Sequence, residues 1–339
     1  MTDICLFATT IHNPTVLRQY RAADPDVLMI IAGDLRTPHD EVKALCDELG
    51  NAVYLDPPQQ ERMGYQCSSV LGWATIQRRN IALLEAIRSG ANVVLSIDDD
   101  NAPRHKSYFE DLRKAFGGTG GYKSIQDWFN LGDYAKTEYF YRGYPFSLRT
   151  RYPWPQPKSI DKGGIGGRVG VVNGYIYGDP DINAIERYID SGPRVNDYDF
   201  PGVYVNPRTT WTPINSQNTA YVRALAPLAF VLPGIGRYDD IWASFMALRV
   251  MEATDYHVLF GEPSVVQERN PHDWLVDLEK ELYGMKHTEA FCASLKAVPV
   301  TPAKSVLDNL AAVAAGAALL PEQARRFLDA WNDDVARVL

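Results

Sequence analysis

Three consecutive aspartates, Asp98-Asp99-Asp100, close an apolar run, Val93-Val94-Leu95-Ser96-Ile97. The first half of that segment suits a buried strand and the second does not. Adjacent carboxylates repel one another and push each pKa upward unless something positive stands among them. A divalent cation that also grips substrate phosphates is the usual remedy. In open α/β sheets ligands bind just outside the carboxyl ends of the strands, where these acids would stand. A solvated acidic loop is the plainer alternative; the buried-strand pattern and the helix ahead of it favour a metal site. A second acidic pair, Asp239-Asp240, follows the glycine turn Gly234-Ile235-Gly236 and precedes an apolar helix to about Met251. Acids at a helix start can be plain capping. In a chain that already has one carboxylate cluster, the pair suggests a second one facing the same cleft.

The basic candidates lie in two places. Arg142 and Arg149 sit in the aromatic stretch Tyr139-Phe140-Tyr141-Arg142-Gly143-Tyr144-Pro145-Phe146-Ser147-Leu148-Arg149. Arginines among so many rings are partly desolvated and need an anion or a ring face. Arg78-Arg79-Asn80 opens the helix before the acidic strand. Arg79 suits a diphosphate bidentately, and Asn80 suits a base or ribose. Asp34, at the end of a strand, could accept hydrogen bonds from the same groups. For Arg78 and Arg79 the alternative is an ordinary solvated helix surface.

The elements that must position these residues alternate. Strands are expected at Ile4 to Thr9, Val27 to Ala32, Val53 to Leu55 and in the run before Asp98. Helices are expected from near Pro14 (capped by Thr10 or Asn13), after Asp40, and from Thr75 to Ser89. That alternation predicts an α/β fold with a mostly parallel central sheet flanked by helices. Further strands are expected at Val171 to Tyr177, Val203 to Val205 and Ala229 to Leu232, with a helix through Ile185 and Tyr188. The glycine-dense segments 117–121 and 163–167 lack the following helix and lysine of a phosphate cradle and read as loops. Two amphipathic helices, 303–318 and 321–339, form a C-terminal helical extension. Leu307, Leu310, Ala311 and Ala314 line one, and Phe327, Leu328, Trp331 and Val335 the other. They read as packing or oligomer surface, and the chain divides into a catalytic domain, 1–298, and the extension, 299–339.

Composition narrows the classes. The 339 residues are 46% hydrophobic and 22% charged, with a net charge of -8. No basic block argues for nucleic acid. No GxGxxG follows the first strand, which argues against a dinucleotide oxidoreductase, and no GxxxxGK[ST] occurs, which excludes a P-loop kinase or ATPase. The four scattered cysteines read as buried thiols in a reducing compartment. With no signal peptide and no long apolar run, a cytoplasmic protein without a membrane span is expected.

Ser96-Ile97-Asp98-Asp99-Asp100, Arg142-Gly-Tyr-Pro-Phe-Ser-Leu-Arg149 and Ile235-Gly-Arg-Tyr-Asp-Asp-Ile-Trp242 occur in that order. In this the chain resembles the plant reversibly glycosylated polypeptides, the family of the UDP-arabinopyranose mutases. Looser similarity runs from Thr9-Thr10-Ile11 through Asp34, Tyr177 to Asp181 and Asn218 to the Trp331 helix. The resemblance implies a GT-A-like glycosyltransferase fold and a UDP-sugar substrate. It implies Mn²⁺ or Mg²⁺ at Asp98 and Asp100, with Asp99 beside the diphosphate. Arg142 matches the reversibly glycosylated arginine, Arg149 a second required arginine, and Asp239 and Asp240 an acidic pair near the sugar. Thr10, Asp34, Asp181, Asn218 and Arg237 join Arg79 and Asn80 as expected substrate contacts. Where the family carries Tyr-His-Ser, this chain has Val266-Gln267-Glu268. His272 is then the substitute metal ligand, unless carboxylates and phosphate suffice.

The activity so implied is interconversion of pyranose and furanose forms of a UDP-sugar, with the sugar held covalently by an arginine, Arg142, that is protonated in water. Such a nucleophile needs a neighbouring carboxylate to take a proton, and Asp239 or Asp240 is the nominee. The rivals are a glycosyltransferase acting on an external acceptor, and a non-catalytic scaffold. A homo-oligomer is expected.

Overall fold

The computed structural model describes residues 3–118, 120–149, 160–190, 193–268 and 273–339. Its strands are β1 (Ile4–Thr10), β2 (Leu28–Gly33), β3 (Ala52–Leu55), β4 (Val93–Ile97), β5 (Asn101–Pro103), β6 (Gly120–Ser124), β7 (Ile160–Gly164), β8 (Arg168–Gly178), β9 (Gly202–Val205), β10 (Asn218–Val222) and β11 (Tyr256–Gln267). Among the described residues they make one sheet, ordered β3-β2-β1-β4-β10-β8-β11-β9-β6-β7, with β5 paired to β11.

β3, β2, β1 and β4 run parallel, linked by helices as the alternating pattern requires. Beyond β4 the sheet is mixed, because β10 lies antiparallel to both β4 and β8. The expected parallel pairing is unbroken in the N-terminal half, and in the other half the parallel pairs β8–β11 and β6–β9 stand among antiparallel ones. Successive residues of β1 point to opposite cores: Cys5 and Phe7 to one, Ile4, Leu6 and Ala8 to the other. Helices Leu17–Ala23, His39–Leu49 and Tyr108–Phe116 cover one face. Helices Arg79–Arg88 and Asp239–Met251 cover the other. This is the two-sided burial that apolar strands such as β4 demand.

Three segments differ from the sequence reading. The glycine-dense segments hold strands: β6 and β7 pair as an antiparallel ladder from Gly120↔Gly164 to Ser124↔Ile160. Ala229 to Leu232 is not a strand but a buried connection, tied to Asn80 through Val231 and to the Asp239 carbonyl through the Leu232 N–H. The strand lies instead at Asn218–Val222, whose Asn-Thr opening gives a weak β signal.

The C-terminal helices Val306–Gly316 and Glu322–Val338 join the main core. Leu310, Val313, Phe327 and Leu328 are buried there, whereas Ala311 is exposed, so the first stripe is rotated from its expected position. Trp331 is fully buried, packs on Phe230 and Phe327, and donates its indole N–H to the Pro227 carbonyl at 2.9 Å. Asp334 accepts the N–H groups of Gln66 and Cys67, capping a helix of the N-terminal half. Trp331→Ala should lower stability by about 3–5 kcal/mol, measured by urea unfolding. A loss below about 1 kcal/mol would place the extension outside the cooperative core. All four cysteines are buried free thiols. Among the described residues no helix is long and apolar enough to cross a membrane.

Candidate active site

The carboxyl ends of β1, β2 and β4 open on a cleft with two adjoining compartments. The larger, of about 610 Å³, is lined by the aspartate triplet, Arg79, Arg142, Asp181, Arg237, Asp239, Asp240, Asp277 and Lys280, among others. The smaller, of about 420 Å³, is lined by Thr9, Thr10, Ile11, His12, Asp34, Arg36 and the 74–76 segment. Asp99 lines both.

The triplet does not act as one unit. Asp98 forms an ion pair with Arg79, whose guanidinium also donates to Ser216 Oγ at 2.7 Å. Arg79 is 2% exposed; it fixes the first aspartate and is not an open diphosphate fork. Asp99 accepts the Thr10 hydroxyl, and burial raises its pKa. Among the described residues no three His, Cys, Asp or Glu side chains gather in a metal-holding cluster. His272 lies outside the described residues.

Arg142 is the most enclosed charge in the cleft. Its Nε–H donates to Asp181 Oδ1 at 2.7 Å, and Nη2 donates to Asp181 Oδ2 and Asp240 Oδ2, each at 3.0 Å. Nη1 donates to Asp240 Oδ1 at 3.0 Å and to the Arg237 carbonyl. All five N–H groups of the guanidinium are thus used. Burial alone would weaken the charge, but the two carboxylates outweigh it and hold the pKa well above the ordinary arginine value. The presenting turn depends on Gly143, which has φ +87 and whose absent Cβ would overlap Ile241.

Asp239 and Asp240 begin the Asp239–Met251 helix and also face the cavity, so the capping and site readings coincide. Asp240 additionally accepts the Ser216 N–H at 3.1 Å. Ser216, through Arg79, connects the Arg142 cage to Asp98. Asp239 accepts from Gln77 Nε2 at 2.7 Å. Burial and the neighbouring Asp240 push its pKa up to about 6. Gly236, at φ +66, brings this turn so close to the Lys280 carbonyl that a Cβ would overlap it. Arg237 pairs with Asp277 at 3.5 Å and Glu281 at 3.2 Å at the cavity wall.

Several expected contacts lie elsewhere. Asn80 exchanges both hydrogen bonds of its amide with the Val231 backbone, and Asn218 is held between Tyr108 and the Pro263 carbonyl. Neither faces the cleft; a buried amide with backbone partners is structural. Arg149 is outside the cavity too, paired with Glu186, bonded to the Tyr144 carbonyl at 2.9 Å and stacked on Phe146. It braces the segment that carries Arg142. Asp34 lines the smaller compartment, but its carboxylate accepts the N–H groups of Leu35, Ala74 and Thr75. Arg78 is neither solvated nor in the site; it is buried against Gln60, Ser68 and Trp73. Gln77, Ser216, Asp277 and Lys280 also line the cavity and are not legible as site residues, since nothing local marks them; Gln267, in the segment that stands where the resembled family carries Tyr-His-Ser, lines it too.

The cavity wall carries Arg79, Arg142, Arg237 and Lys280 against a larger set of aspartates. An anionic diphosphate entering such a wall gains from an accompanying cation. Asp98 and Asp100 both line the cavity and carry the oxygen donors that Mg²⁺ or Mn²⁺ takes, so these are the residues that would hold such a cation.

Comparison with known proteins finds similarity to UDP-arabinopyranose mutases of plants. The chain is 26% identical over 212 residues, 57% of this chain and 54% of the relative, to "Probable UDP-arabinopyranose mutase 1" of Pisum sativum. It is 30% identical over 152 residues, 43% of this chain and 37% of the relative, to "UDP-arabinopyranose mutase 1" of Oryza sativa subsp. japonica. The matched stretches thus span about half the length of these relatives or less. No protein-family model matches the chain.

Proposed function

We propose that this relative of the UDP-arabinopyranose mutases interconverts the pyranose and furanose forms of a UDP-sugar of the arabinose type, carrying the sugar transiently on Arg142. The observation that carries this reading is the enclosure of Arg142 by Asp181 and Asp240 in the same cavity as the aspartate triplet. The sugar diphosphate occupies the larger compartment and the nucleoside the smaller, as in a GT-A-like fold. Mn²⁺ or Mg²⁺ at Asp98 and Asp100, when bound, would neutralise charge on the leaving diphosphate.

The protein's own groups account for the remaining chemistry. As the anomeric C–O bond breaks, its electron pair leaves with the diphosphate and an Nη nitrogen takes the anomeric carbon. The nitrogen's proton passes to the carboxylate it already touches. The high pKa of Arg142 forbids prior deprotonation, so transfer accompanies bond formation. Neutral Asp239 then protonates the ring oxygen, and the glycosyl nitrogen's lone pair opens the ring. Reclosure through a different hydroxyl returns that proton to Asp239. The diphosphate finally reclaims the carbon, and the nitrogen recovers its proton.

Incubation with UDP-arabinopyranose alone should yield the furanose isomer by chromatography. Product formed only with an external acceptor would instead make the chain a glycosyltransferase. Asp239→Asn should keep the first half-reaction, measured as label retained on protein, while isomerisation falls about 10²–10⁴-fold. Because Asp239 donates in its neutral form, the wild-type isomerisation rate should fall as pH rises through about 6. Equal loss of labelling and isomerisation in Asp239→Asn would assign Asp239 to sugar binding.

A further inference from the structure

Ser216 stands between the two charge clusters of the cleft. The half-buried residue lines the larger compartment together with the aspartate triplet. On one side its Oγ accepts from Arg79 Nη1 at 2.7 Å, and the same guanidinium pairs with Asp98. On the other side the hydroxyl donates to Asp240 Oδ2 at 3.3 Å, an oxygen that also accepts the Ser216 N–H at 3.1 Å and Arg142 Nη2 at 3.0 Å. A guanidinium only donates, so the hydroxyl oxygen is the acceptor toward Arg79 and its one proton is directed elsewhere. Accepting from a cation also makes that hydroxyl a stronger donor. The main chain at Ser216 is fixed without the side chain: its carbonyl accepts from Ser96 Oγ at 2.7 Å and from Arg79 at 3.2 Å. Rotation of the hydroxyl alone therefore decides which acceptor its proton meets.

We infer that Ser216 is a further catalytic residue, whose hydroxyl turns from Asp240 to the departing diphosphate once Asp240 holds the Arg142 proton. The inference rests on the glycosyl-arginine reading above and adds a donor for the leaving group. Asp240 meets both terminal nitrogens of Arg142, whereas Asp181 meets Nη2 and Nε. Asp240 is thus in reach of whichever nitrogen takes the sugar. While it is paired with Arg142 as a carboxylate, it holds the hydroxyl. As the anomeric C–O bond breaks, its electron pair goes to the diphosphate, Nη binds the carbon, and the Nη proton passes to Asp240. A neutral carboxyl accepts more weakly than a carboxylate, and a phosphate oxygen gaining charge accepts more strongly. The hydroxyl keeps its proton and changes only its partner. Its bond to the diphosphate forms as charge develops there and is absent from the resting complex, which is what stabilises a transition state in preference to the ground state.

The test compares UDP binding to the unlabelled protein with UDP action on the sugar-bearing protein. Wild type and variants of the full chain are labelled to plateau with UDP-arabinose, freed of nucleotide, and chased with increasing UDP in the presence of Mn²⁺. Ser216→Ala should raise the UDP concentration for half-maximal sugar release about 10–10²-fold. Its affinity for UDP before labelling, measured by calorimetry, should stay within about threefold of wild type. Ser216→Cys keeps the size and offers only a weak S–H donor, so it should follow Ser216→Ala. Ser216→Thr restores the hydroxyl and should recover release to within about threefold. Equal losses in release and in resting UDP affinity would make Ser216 an ordinary contact and overturn the switch. Release by Ser216→Ala at the wild-type UDP concentration would overturn it too, as would failure of the variant to take label at all. A wild-type protein that takes no sugar on Arg142 would overturn the glycosyl-arginine reading, and this inference with it.

Discussion

Arg142→Lys is expected to abolish labelling by UDP-sugar and to lower isomerisation by about 10³-fold or more, while UDP still binds. Lysine keeps a positive charge, but one ammonium cannot reproduce the paired fork to Asp181 and Asp240. It also removes the nitrogen that would carry the sugar in the guanidinium's geometry. Arg142→Met is a poorer probe, because it strips the cation from between two buried carboxylates. Breaking a buried pair in that way costs about 3–5 kcal/mol, and lost activity would then mix with lost fold. The two variants therefore separate chemistry from stability. Calorimetry with UDP and chromatography of the two sugar isomers supply the readouts. Turnover within about tenfold of wild type in Arg142→Lys would reduce Arg142 to a counter-ion for the aspartates.

Asp100→Asn is expected to lower isomerisation by about 10²–10³-fold, with partial recovery at high Mn²⁺. Asp98→Asn should be at least as damaging, since it also deprives buried Arg79 of its partner. Asp99→Asn should be the mildest, because Asp99 turns toward the Thr10 hydroxyl. The ranking, measured as isomerisation rate against Mn²⁺ concentration, is the informative result. Three equal losses would mean that the triplet contributes only its summed charge. A mild Asp100→Asn that does not respond to Mn²⁺ would leave the cation without a protein ligand at that residue.

Some of this arrangement is written in short stretches of sequence, and some is not. An apolar run followed by acids forces a buried strand to end in charge, and β4 does so beside β1. The alternation of periods likewise gives the parallel half of the sheet. The mixed half escapes such reasoning because β10 is a short polar-headed strand whose place depends on β8, which is far away in sequence. Arg142 stands out locally for its aromatic neighbours, but its partners Asp181 and Asp240 come from two distant turns. No spacing rule brings them together. Asn80 and Asn218 mislead for the opposite reason: an amide looks equally polar whether it meets substrate or a backbone carbonyl.

The most direct measurement is mass mapping of the protein after brief incubation with UDP-arabinose and Mn²⁺. The expected result is one pentose added to the peptide containing Arg142, present in wild type, absent in Arg142→Lys and lost on chasing with UDP. Isomerisation proceeding with no sugar on that peptide, or with the sugar on another residue, would contradict the central role of the guanidinium.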